Sequence, residues 1–195
     1  IILITHDLDL VADVADKIVV LYKGELIEKG TTRSILKNPQ HWYTKALLAC
    51  RPVANAKGSR LPVVADFIES GMVSDQSSVI SHQSPINPHH SPLTTQHSCF
   101  SPILTVENLT VTLATGSGDA QAVRNLSFNV GHGEILGVAG ESGSGKTMTA
   151  LSMLGLLPYK GKASGSIKFD GREILTSSKR EYRDLRGKEI AMIFQ

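Results

Sequence analysis

Apolar residues arrive in short runs separated by polar punctuation, and the first run is the β-branched stretch Ile1 to Thr5, bounded by His6 and Asp7. A continuous apolar run of this length suits a strand buried in a parallel sheet. Leu8, Val11, Val14 and Ala15 then fall on one face of a short helix. Lys17 to Tyr22 and Glu25 to Gly30 flank Lys23-Gly24, a spacing that predicts a hairpin. Two short helices are expected next, Thr32 to Lys37 before Asn38-Pro39 and His41 to Cys50 before Pro52, because the residue ahead of a proline disfavours helical dihedrals.

The periodicity then lapses. Ser74 to Ser101 is rich in Ser, His, Gln and Pro and shows neither a helical nor a strand period, the signature of a flexible linker. From Arg60 to Arg124 the chain carries no intervening Lys or Arg, while both flanks are studded with them. Patterning resumes with Ile103 to Leu113 and Ala122 to Val130, whose alternation suits antiparallel strands around a loop containing Gly116 and Gly118. After Gly131-His132-Gly133 comes "EILGVAG", a strand ending in a glycine loop, then a helix from Lys146 to Leu157 punctuated by Pro158. "SGSIKFDGREIL" supplies a strand and an Asp170-Gly171 turn, Lys179 to Leu185 a helix, and "EIAMIFQ" a last apolar strand. The fold class expected is α/β, with an antiparallel β portion and no internal repeat.

Composition narrows the function classes. The 195 residues, 41% of them hydrophobic, suffice for about one domain with a core. A net charge of +2 gives no reason to expect a nucleic-acid or membrane-surface polyelectrolyte. No apolar run approaches the ~18 residues of a spanning helix. Cys50 and Cys99 are isolated thiols, which suits a reducing compartment better than a disulfide framework. The first residue is Ile, without a basic flank or small-residue cleavage pattern, so an internal piece of a longer protein is expected.

Gly140-Glu141-Ser142-Gly143-Ser144-Gly145-Lys146-Thr147 is an unbroken G-x-x-x-x-G-K-T that follows a strand and opens a helix. That context is the one the phosphate-binding loop requires. Glycines let backbone N–H groups curve closely around a polyphosphate, and the helix N-terminus adds positive dipole. Lys146 would reach the β- and γ-phosphates, and the Thr147 hydroxyl would ligate Mg²⁺. Gln195 and His6 say less by themselves. A polar group at a strand end is ordinarily solvated, although such ends are also where open α/β sheets bind ligands.

Beyond these residues the chain resembles ATP-binding cassette (ABC) ATPases. "ILTVENLTV", "AVRNLSFNV", "GEILGVAGESGSGKTMTALSMLGLL" and "LRGKEIAMIFQ" resemble the N-terminal half of a cassette, from its first strand through the Q-loop. "IILITHDLDLVADVADKIVVLYKGELIEKGTTRSIL" resembles the C-terminal end of another cassette, from just before the H-loop. "NPQHWYTKALLACRP" is similar to the tail of the branch importing dipeptides, oligopeptides, nickel or glutathione, with His41-Trp42-Tyr43-Thr44 where that branch usually has His-Pro-Tyr-Thr.

The resemblance implies a P-loop NTPase fold in two partial cassettes: residues 1–52 the end of the first, 53–101 a linker disordered from about 71, and 102–195 the start of the second. It makes His6 the switch histidine at the γ-phosphate and Gln195 the Q-loop glutamine that senses Mg²⁺ and the γ-phosphate. Since His6 and Lys146 would come from different cassettes, they are expected to serve different ATP sites. The implied function is an ATP-hydrolysing importer subunit for peptides or a related solute, with ATP and Mg²⁺ as cofactors. Its partners would be transmembrane permease subunits, the other cassette and an extracytoplasmic solute-binding protein, at the cytoplasmic face of the inner membrane and without nucleic acid. The alternatives are a non-transport ABC ATPase and a non-catalytic nucleotide-binding fragment. The signature motif, the Walker B aspartate and the water-polarising glutamate are not in this sequence, so little hydrolysis is expected of the chain alone.

Three further positions stand out. Where the family commonly places an aromatic to stack on adenine, this chain has Leu113. His82, His89, His90, His97 and Cys99 are soft-metal ligand types within the linker, but their spacings match no compact zinc pattern. Trp42 and Tyr43 are expected to pack against the tail helix rather than stack on a ligand.

Overall fold

The computed structural model describes residues 1–50, 63–69, 101–116, 118–158 and 160–193. Its first part runs β1 (Ile2–Thr5), α1 (Leu8–Val14), β2 (Lys17–Tyr22), β3 (Glu25–Thr31), α2 (Thr32–Lys37), α3 (Trp42–Ala49) and α4 (Val64–Glu69). The second runs β4 (Leu104–Thr115), β5 (Gly118–Val130), β6 (Leu136–Ala139), α5 (Lys146–Met153), β7 (Lys162–Phe169), β8 (Arg172–Glu173) and α6 (Lys179–Leu185).

These strands form two four-stranded sheets, one ordered β1-β6-β2-β3 and the other β5-β4-β7-β8. In the first, β6 lies between β1 and β2 and is parallel to both. A strand from the second part of the chain is therefore the centre of a sheet whose other members come from the first part. The second sheet is antiparallel throughout.

β2 shows why its sequence is an unbroken apolar run rather than an alternating one. Val19 and Leu21 pack with Leu136 and Val138 against the antiparallel sheet, while Ile18 and Val20 pack with Leu8, Val11, Ile35, Tyr43 and Ala46 on the helical side. Both faces are covered, so both sets of side chains must be apolar. The first sheet, in which only β3 is antiparallel to its neighbour, is thus the middle layer, with α1 to α4 on one side and the antiparallel sheet on the other.

In β4 and β5 the apolar phase slips. Val106 and Leu109 are both buried although three residues apart, and Asn108 between them takes φ 51°. On β5 the same happens between Val123 and Leu126, with Asn125 at φ 47°. The strand register shifts at these places. A bulge with a left-handed Asn restores the inward phase of the following residues.

Four elements depart from expectation. The helix opened by Lys146 ends at Met153, not Leu157, because Gly155 adopts φ 58° and turns the chain out of the helix. The strand expected over "EIAMIFQ" does not form in its described part. Only Ile190 pairs, as an isolated bridge to Arg186, and Ile193 is 96% exposed because no sheet strand takes it as a neighbour. Val14 ends α1 on its exposed side, leaving Leu8, Val11 and Ala15 to face the core. The expected linker contains α4, whose Val64 is buried against the helical layer. Residues 53–62 and 70–100 of it lie outside the described residues.

Candidate functional site

β6 is fully buried and ends at Ala139, and α5 begins at Lys146, so the Gly140–Gly145 loop joins a central parallel strand to a helix N-terminus. Gly140 has φ 148°, and a Cβ there would run into the Leu21 carbonyl oxygen. Gly145 has φ 100°, and its Cβ would sit 2.6 Å from the Ala122 carbonyl oxygen. Both positions therefore demand glycine for conformation and for space. The loop they permit carries the backbone close to whatever occupies the cleft.

Lys146 curls back over this loop. Its Nζ donates to the Gly140 carbonyl at 2.7 Å, the Glu141 carbonyl at 2.7 Å and the Ser144 hydroxyl at 3.2 Å. Burial pushes the ammonium below its ordinary pKa, with Glu141 pulling the other way. Ser144 is buried, and Thr147 is exposed toward the cleft. A positive charge at a helix N-terminus beside a glycine loop is an arrangement that can receive an anion.

His6 reaches the same place. The β1–β6 register pairs Thr5 with Ala139, so His6 and Gly140 emerge side by side at one strand end. Asp7 then caps α1, its Oδ1 accepting from Asp9 N at 2.8 Å and Leu10 N at 3.3 Å, which fixes where the chain turns after His6. A cleft of about 870 Å³ is lined by His6, Lys146, Thr147, Glu141, Leu113 and Ala122 among others. The expectation that His6 and Lys146 serve different sites is not met within this chain, because β1 pairs with β6 and brings them to one cleft. Leu113 does stand in its wall, and among the described residues lining the cleft there is no Phe, Tyr or Trp. Gln195 and the linker residues His82, His89, His90, His97 and Cys99 lie outside the described residues.

Two supports of the loop were not legible in sequence. The β2–β3 turn, with Lys23 at φ 49° and Gly24 at φ 86°, wedges against β5 and the loop: Gly24 N donates to Ser144 O at 3.2 Å and Arg124 N to Gly24 O at 2.7 Å. From the other side the Glu141 amide donates to the Tyr43 hydroxyl at 3.0 Å. The sequence marks Gly24 as a hairpin turn and Tyr43 as part of the tail, but only the tertiary arrangement reveals that both reach the loop.

A glycine loop between a central parallel strand and a helix, closed over by the helix's own lysine, defines a P-loop nucleotide-binding fold. Within that class, residues 123–195 match the family model described as ABC transporter. The whole chain is similar to the glutathione import ATP-binding protein GsiA of Escherichia coli (strain K12), 36% identical over 203 aligned positions that cover 100% of the chain and 30% of the relative. GsiA of Shigella dysenteriae serotype 1 gives the same figures, 36% identity over 100% of the chain and 30% of the relative. The oligopeptide transport ATP-binding protein OppD of Salmonella typhimurium is 50% identical over 93 residues, 48% of the chain and 28% of OppD. The chain thus spans about a third or less of the length of these relatives. Among the described residues no helix is long and apolar enough to cross a membrane.

Proposed function

We propose that this chain is part of the ATP-hydrolysing subunit of an ABC importer for peptides or a related small solute. The observation that carries the reading is the glycine-walled loop of Gly140 to Gly145, with Lys146 poised over it in a cleft shared with His6. In it, the loop of Gly140, Glu141, Ser142, Gly143, Ser144 and Gly145 and the ammonium of Lys146 hold the phosphates. Thr147 and Gln195 hold Mg²⁺, and His6 faces the γ-phosphate. Mg²⁺, when bound, supplies charge that offsets the β- and γ-oxygens. The residues of this chain bind and orient; the groups that would activate water are not in its sequence, so hydrolysis belongs to a more complete assembly.

The alignment with GsiA runs through both parts of the chain in order, which supports a longer polypeptide with two cassettes: residues 1–52 closing the first, 53–101 linking, and 102–195 opening the second. Permease subunits, a solute-binding protein and a position at the inner face of the membrane follow from the import ATPases to which the chain is similar. Limited proteolysis tests the nucleotide reading: ATP with Mg²⁺ is expected to protect the chain after Ile103. Digestion at the same rate with and without nucleotide would favour a fragment that binds none.

A further inference from the structure

Tyr43 is 0% exposed and among the largest side chains buried to that degree, yet it is more than filler. Its ring lies 4.3 Å from that of Tyr22 and 5.7 Å from that of Trp42, which fixes where its hydroxyl points. The helix that carries it is itself held at its start. Glu28 on β3 accepts from Gln40 N at 2.7 Å and His41 N at 3.2 Å, and the His41 Nδ1 accepts from Tyr43 N at 3.1 Å. A chain of contacts therefore runs from β3 through the start of α3 to the hydroxyl, and the hydroxyl ends on the Glu141 amide at 3.0 Å.

Glu141 is gripped from both of its backbone groups, since its carbonyl accepts from Lys146 Nζ at 2.7 Å. We propose that Tyr43 is a positioning residue for the phosphate loop: by holding the Glu141 N–H it sets the orientation of this stretch of backbone, and through the Glu141 carbonyl the resting place of the Lys146 ammonium. The proposal rests on the nucleotide-binding reading above. It deepens that reading by making loop geometry depend on the tail helix, an element distant in sequence. A half-buried N–H left without a partner at this point is unfavourable, so the loop would turn to find water once the hydroxyl is gone. Burial raises the phenol to about 12, so the hydroxyl stays protonated and the contact persists across neutral pH.

Tyr43→Phe in the full chain removes the oxygen and keeps the ring. We expect amide exchange at Glu141 to quicken about five-fold relative to the β6 amides, and affinity for a fluorescent ATP analogue to weaken by a similar factor, the loss of one net hydrogen bond. Exchange at Glu141 that stays level with β6, or exchange that rises uniformly along the chain with a fall in melting temperature, would reduce Tyr43 to packing and overturn the proposal. If the wild-type chain fails to bind the analogue, the nucleotide reading falls while the exchange comparison still decides the role of Tyr43. Binding by the wild type with unchanged affinity in the variant overturns only the proposal.

Discussion

Gly145 carries two constraints in one residue: a left-handed φ of 100° and a Cβ position 2.6 Å from the Ala122 carbonyl oxygen. Gly145→Ala is accordingly expected to lower stability by about 1–3 kcal/mol, measured by urea unfolding, and to impair nucleotide binding beyond that. A variant as stable as the parent would mean the loop is free to relax. Leu113 is the residue where affinity can be gained. It lies in the cleft wall with Ala122, and Leu113→Tyr would give adenine a ring on which to stack. Stacking contributes on the order of 1–3 kcal/mol per base, so ATP should bind about ten-fold more tightly to Leu113→Tyr. An unchanged dissociation constant would place the base elsewhere.

Among the elements, the β7–β8 hairpin depends on Glu173. Its carboxylate accepts from the Ile167 amide at 3.1 Å, the Leu175 amide at 2.8 Å and the Ser166 hydroxyl. Burial pushes this carboxyl up, but the Ser166 hydroxyl, the two amides and the Lys168 charge outweigh it and hold the group below its ordinary 4.5. A folded-state value that is depressed means the stabilisation is present above the ordinary value and fades as pH falls through the lowered one. Glu173→Gln should therefore be less stable at neutral pH by about 1–2 kcal/mol, with the gap to wild type closing under acid. A gap constant with pH would show that charge plays no part. Most elements were legible because their signals are local: the apolar run of β1, the two-residue turn before Glu25, and the Asp170-Gly171 turn between β7 and β8. The bulges at Asn108 and Asn125 left only a slip in the apolar phase, and the early end of α5 depended on a single glycine. The glycine loop could be read from sequence in full, whereas Tyr43 and Gly24 act on it across 98 and 120 positions respectively, counting Glu141 and Ser144 as their targets.

At the scale of the whole molecule, β6 is paired on both sides by strands from the first part of the chain. Removing those strands would leave the backbone groups along both of its edges unpaired. If the chain is cut once between residues 71 and 100, the two pieces should co-elute as a single folded complex. Pieces that separate on size exclusion would show that each part folds without the other. The central claim remains the grip of Gly140 to Thr147 and Lys146 on a triphosphate, and calorimetric titration of the full chain with ATP and Mg²⁺ tests it most directly. The account predicts saturable heat that Lys146→Ala weakens by at least about ten-fold, or about 1.4 kcal/mol. No heat from the folded wild-type chain, or equal heat from the Lys146→Ala variant, would contradict it.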